Sequence, residues 1–169
     1  LPAYRRLRAT VSELAEETRG TVQLVAEDQG LGIYVYHITA AGGVQSDVHI
    51  GKTVHLHTTA AGKAILAHLP EERIEQIIEY RGLPRVTENT IGDKDELLDQ
   101  LQEIRDDGFS FNNEERIPGQ QGVGVPILDE DEQVIAAISV SGPKARVEED
   151  LPNTILTKVN EVELTIKFE

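Results

Sequence analysis

The sequence predicts an α+β fold: a central, mostly antiparallel sheet of about five to six strands flanked by helices. Two observations carry this. Segments alternating with period two form two groups, one in the first third of the chain and one in the last. A run of helix-period segments separates them, and a helical stretch stands at each end, which is the order expected of helices packed on an antiparallel sheet.

Residues 4 to 18 read as a helix, with Leu7, Val11, Leu14, Ala15 and Thr18 on one stripe and Gly20 as its stop. Val22, Leu24 and Ala26 alternate with their neighbours. A turn at Asp28-Gln29-Gly30 joins them to Ile33, Val35 and His37, which alternate with Tyr34, Tyr36 and Ile38. This is a hairpin. Gly42-Gly43 breaks the chain, and Val44 to Ile50 is expected as a third strand.

Thr58 or Thr59 can cap a short Ala-rich helix through Leu69, and Pro70 starts another that carries Ile74, Ile77 and Ile78. After a loop at Gly82, Pro84 and Thr87–Thr90, Asp93 caps a helix with Glu96 at the capping-box position. Leu97, Leu98, Leu101 and Ile104 form its core stripe and Gly108 ends it. Strands follow at Phe109 to Glu115, at Val123, Val125 and Ile127, and at Val134 to Ser141. The last puts Val134, Ala136, Ile138 and Val140 on one face, with Ile135, Ala137, Ser139 and Ser141 on the other. Pro152 opens a final helix with Ile155, Val159, Val162 and Ile166 on its stripe.

Composition narrows the function. The chain has 169 residues, enough for one domain with a substantial core, and no cysteine, which excludes disulfides and thiolate chemistry. No apolar run suits a membrane span, and the opening Leu1-Pro2-Ala3-Tyr4-Arg5-Arg6 is neither a signal peptide nor an initiator sequence. A cytoplasmic fragment of a longer chain is expected. The net charge of −14 opposes a nucleic-acid backbone, so this segment is not expected to grip DNA itself. Acids spread along the whole chain, with Arg outnumbering Lys, suggest a halophilic source.

Several chemistries fail on spacing. Ala61-Gly62-Lys63-Ala64 lacks the Gly and the hydroxyl of a phosphate-binding loop, since His57 and Ala64 occupy those positions. Gly119, Gly122 and Gly124 do not have dinucleotide spacing, and no cofactor is expected. His55 and His57 share a face if extended, but no second ligand pair joins them. There is no G-x-S-x-G, and Glu114-Glu115 is weak as a catalytic pair in so acidic a chain. Two features remain open. The helix start at Ala60-Ala61 offers N–H groups to a carboxylate, or its small residues merely pack closely. Ser139 and Ser141 face the same way and either bind a ligand or satisfy neighbouring groups.

Four stretches in order resemble the C-terminal domain of IclR-family transcriptional regulators: Leu56 through Ala67, Thr87 through Ile91, Gly108 through Asp129, and Ala136 through Pro143. The resemblance covers roughly residues 2 to 168. It implies a GAF- and profilin-like architecture, a homodimer or tetramer, and a pocket for an organic acid, aromatic acid or sugar-derived metabolite. It also implies that DNA is bound through an N-terminal winged helix-turn-helix that residues 1–169 do not include; these read as a single effector-binding and oligomerisation domain. Carried over by position, Ala60, Ala61, Asn112, Gly122, Ser139 and Ser141 line the pocket, with Ser46, Val54 and Gln120 as wall or lid positions. Helix N–H groups and two hydroxyls would together form a carboxylate cradle. Asn112 stands where the family usually has an acid, and Gly122 where it has Cys, Ser or Ala. Loss of a charge and of a side chain favours an anionic or bulkier ligand. The leading reading is an allosteric sensor. The alternatives are a ligand-independent oligomerisation module with a collapsed pocket, and an enzyme acting on a small acid.

Overall fold

The computed structural model describes residues 2–39, 49–144 and 147–168. Among them the sheet has six strands, all pairs antiparallel, in the order β3-β2-β1-β6-β5-β4. The chain runs α1 (Pro2–Thr18), β1 (Thr21–Asp28), β2 (Leu31–Ile38), β3 (Thr53–His55), a 3-10 turn (Leu56–Thr58) and α2 (Ala60–Ala67). It continues through α3 (Glu71–Arg81), α4 (Lys94–Asp107), β4 (Ser110–Asn113), β5 (Gln120–Leu128), β6 (Val134–Pro143) and α5 (Leu151–Lys167).

Two cores sandwich the sheet. Leu7, Val11 and Leu14 of α1 and Ile155, Val159 and Val162 of α5 pack on Val22, Leu24, Val125, Ile138 and Val140. On the other face Ala64, Ile65 and Leu66 of α2, Ile74 and Ile77 of α3 and Leu97, Leu101 and Ile104 of α4 meet Val25, Tyr34 and Ala137. The central strand β1 is therefore buried on both faces from Val22 to Val25, and Gln23 is carried into the interior with them. The predicted helical stripes face these cores.

The structure departs from the sequence reading in four places. Thr53–His55, which the sequence reading did not mark as a strand, is the third described strand and pairs with β2 through Thr53↔Ile33. Of the expected strand Val44 to Ile50, Ile50 lies in an exposed turn and residues 44–48 lie outside the described residues. Gly20 does not itself stop α1. Arg19 takes the left-handed turn at φ 57°, while a Cβ on Gly20 would stand 2.7 Å from Val140 Cγ1. Residues 109 and 114–115 fall outside β4, and Glu114 reverses the chain at φ 58°. Finally, a register shift at Ile127/Leu128 pairs Ile127 with Ala136 but Leu128 with Val134. That bulge breaks the alternation, so Val134 packs against the α2–α4 core instead of joining Ala136 and Ile138.

Candidate functional site

The site begins with the start of α2. Thr59 is its N-cap, and its hydroxyl accepts the Gly62 amide at 2.9 Å. The preceding 3-10 turn folds so tightly over the helix that a Cβ on Gly62 would stand 2.1 Å from the Leu56 carbonyl oxygen. On the sheet side, a Cβ on Gly124 would stand 2.5 Å from the Ala60 carbonyl. The Ser110 hydroxyl, in register with Gly124, donates to that same oxygen. The small residues at this helix start thus allow backbone to touch backbone. The first-turn amides of Ala60 and Ala61 still lie outside the intrahelical ladder.

Beside this contact the sheet presents two polar rows on the α2 face. Strand register places Thr21, Ser141, Gly122 and Asn112 in one row, and Gln23, Ser139, Gly124 and Ser110 in the next. Small side chains in these rows leave a cavity of about 720 Å3, which also reaches Val25, Tyr34, Thr59, Ala60 and Ala61. Arg19 and Arg116 line it together with Glu17 and Glu148.

The serines are not independent hydroxyls. Ser139 Oγ donates to Gln23 Oε1 at 2.9 Å, and Gln23 Nε2 donates to Ser141 Oγ at 3.1 Å. One amide bridges both. Gln23 was not legible as a site residue, because the register that sets β1 beside β6 decides which residue meets the serines. The available signal was a lone amide inside the apolar run Val22 to Val25.

Asn112 does line the cavity, but its amide is committed to the protein. Its Nδ2 donates to the Thr58 carbonyl at 2.8 Å, and its Oδ1 accepts the Glu115 amide at 2.9 Å. It ties the approach to α2 to the turn after β4. Below that turn Lys63, wholly buried, donates to Glu115 Oε1, the Phe111 carbonyl and Gln100 Oε1 at 2.7, 2.7 and 2.6 Å. Burial lowers the Lys63 pKa and the adjacent Glu115 carboxylate opposes that shift. Thr87 and Thr90 donate to the Glu114 and Glu115 carbonyls. The stretches Ala61–Ala64, Thr87–Thr90 and Asn112–Glu115 therefore form one buried polar knot.

Of the residues expected at the pocket, Ala60, Ala61, Asn112, Gly122, Ser139, Ser141 and Gln120 are brought together around the cavity. Val54 is not. It sits on edge strand β3, packed against the α2–α4 core, because pairing with Gly32 turns it there. Ser46 lies outside the described residues. His55 and His57 meet edge to face, with ring centroids 5.8 Å apart. His57 Nε2 lies 2.9 Å from the Pro84 carbonyl, and burial lowers its pKa. Among the described residues no group of three or more His, Asp or Glu side chains could hold a metal, and no helix is long and apolar enough to cross a membrane.

Residues 3–167 match the family model for the C-terminal part of bacterial IclR transcriptional regulators. The chain is 35% identical to the "Probable HTH-type transcriptional regulator ArcR" of Halobacterium salinarum, over 97% of this chain and 65% of that protein. That likeness supports a halophilic source. The chain spans between 45% and 65% of the length of such curated relatives, which bear names of regulators and not of enzymes. Among solved structures, the Thermotoga maritima IclR protein superposes with a TM-score of 0.89 at 28% identity, covering 98% of this chain and 67% of that one. A double mutant of the inducer-binding domain of the PobR transcription factor from Acinetobacter, in complex with 3-hydroxybenzoic acid, superposes with a TM-score of 0.79 at 25% identity, covering 94% of each chain. The chain belongs to the IclR family of bacterial transcriptional regulators and corresponds to their C-terminal part.

Proposed function

We propose that this chain is the effector-sensing part of an IclR-type regulator, and that a small organic acid, aromatic acid or sugar-derived metabolite binds between the start of α2 and strands β1, β6, β5 and β4. The observation that carries this reading is the cavity of about 720 Å3 beside the Gln23–Ser139–Ser141 bridge. That volume lies in the range of small-molecule sites. A double mutant of PobR's inducer-binding domain, of the same fold, is known in complex with a small aromatic acid. A pocketless oligomerisation module would have a filled or collapsed space beside Ser139 and Ser141, which an open cavity disfavours. An enzyme would need a base at Ser139, whose hydroxyl instead donates to an amide.

In the whole regulator, binding would shift the balance between arrangements of a homodimer or tetramer, and so the spacing of DNA-binding modules outside this chain. The test is a thermal-shift screen against organic, aromatic and sugar acids in molar KCl. A saturable rise in melting temperature, growing with the logarithm of ligand concentration and abolished by Ala61→Phe, is expected. A folded protein that responds to no acid would sink the proposal.

A further inference from the structure

We infer that Gln23 sets the chemical selectivity of the cavity, and that its ligand carries a group that both donates and accepts a hydrogen bond, such as a hydroxyl, where it meets Ser139 and Ser141. This rests on the proposed ligand-binding role of the same cavity.

The reasoning follows from hydrogen-bond inventory. A side-chain amide has one donating end and one accepting end. Gln23 uses both on the two serines: Oε1 accepts from Ser139, and Nε2 donates to Ser141. Ser139 has thus spent its only proton and faces the cavity as an acceptor. Ser141 has spent a lone pair and keeps its proton to donate. Exchanging the amide's oxygen and nitrogen, which are interchangeable in shape, only swaps the two roles. In either orientation the pair offers one donor and one acceptor, never two donors.

That excludes the cradle expected from the sequence, in which both hydroxyls would donate to one carboxylate. A carboxylate can use only one of them, and the other would hold lone pairs against its negative charge. A methyl ether accepts but leaves the acceptor serine unpaired. A hydroxyl satisfies both at once. Gln23 and Ser139 are each 7% exposed on the cavity wall, so a ligand seated there displaces the water that reaches them, and a group then left unpaired is costly. Val22, Leu24 and Val25 fix the strand that carries the amide, which keeps it between the serines.

The experiment is titration calorimetry in molar KCl with matched acids: 3-hydroxybenzoate against 3-methoxybenzoate and benzoate, mandelate against O-methylmandelate, and gluconate against hexanoate. The hydroxylated members are expected to bind about tenfold more tightly than their partners. In Gln23→Leu both serines are released to donate, and the preference should collapse to within about twofold, with the methoxy acids binding no worse than before. Ser139→Ala, which removes the accepting serine, gives a second route to the loss of the hydroxy-over-methoxy preference should Gln23→Leu fold poorly. Equal binding of hydroxylated and unhydroxylated acids overturns the selectivity inference while leaving a ligand site. A preference that survives in both variants also overturns it. Absence of binding by every acid, in a folded protein, removes the ligand-site reading and this inference with it.

Discussion

The ammonium of Lys63 on α2 and the carboxylate of Glu115 after β4 meet at 2.7 Å, with the lysine side chain wholly out of water and that of Glu115 only 7% exposed. This ion pair joins the helix that opens the cavity to the turn that follows its edge strand. Its remaining bonds are filled by Gln100, the Phe111 carbonyl and the Asn113 amide. Removing one partner strands a buried charge. Lys63→Met is therefore expected to cost about 3–5 kcal/mol in urea unfolding, and Lys63→Met with Glu115→Leu less than the sum of the single changes. Additive losses would show that the pair is not coupled.

The two glycines on β5 separate packing from cavity space. Gly124→Ala drives a methyl into the Ala60 backbone and is expected to destabilise by about 1–3 kcal/mol or more. A Cβ on Gly122 would stand 3.3 Å from Ser141 Cβ and from the Val140 carbonyl oxygen, a tight contact but far milder than that at Gly124. Gly122→Ala should lower the melting temperature of the unliganded protein less than Gly124→Ala does, while weakening the response to large acids. A melting curve for each, with and without acid, separates the two effects.

Asn112→Asp was expected from the sequence to act on an anionic ligand through charge. The structure gives it a structural cost as well. An Asp cannot donate to the Thr58 carbonyl, and sets a carboxylate against it. A loss of about 1–3 kcal/mol without any ligand is expected in urea unfolding. Unchanged stability would show that the Thr58 bond carries no weight.

His57 links the fold to pH. Burial holds its pKa below the ordinary 6.5, so the folded form stays neutral where the unfolded chain takes up a proton. Its contribution is full above that value and declines as pH falls from 6.5 through the folded pKa. In His57→Gln the fall in stability across that window should shrink, and a proton NMR titration of the His57 ring should show its midpoint below 6.5 in the native protein.

A net charge of −14 on 169 residues predicts a fold that salt supports. The melting temperature should climb steadily from about 0.1 M to 2 M KCl as repulsion is screened. A flat profile would count against halophilic adaptation.

How far the sequence reaches differs between elements and site. Stripes such as Leu97, Leu101 and Ile104, the Asp93 cap and the left-handed Gly108 are local statements, made within one or two turns of chain, whereas the cap of α2 is narrowed locally only to Thr58 or Thr59 and the fold selects Thr59. Seven of the nine positions carried over by resemblance line the cavity, in segments whose order the chain itself displays. Tertiary structure decided what local pattern could not. The bulge opposite Leu128 turned Val134 to the other face. The partnering of β1 with β6 set Gln23, 116 residues away in sequence, against Ser139. Neither is encoded in a neighbourhood of residues, because strand register is chosen by the whole sheet as it buries both faces.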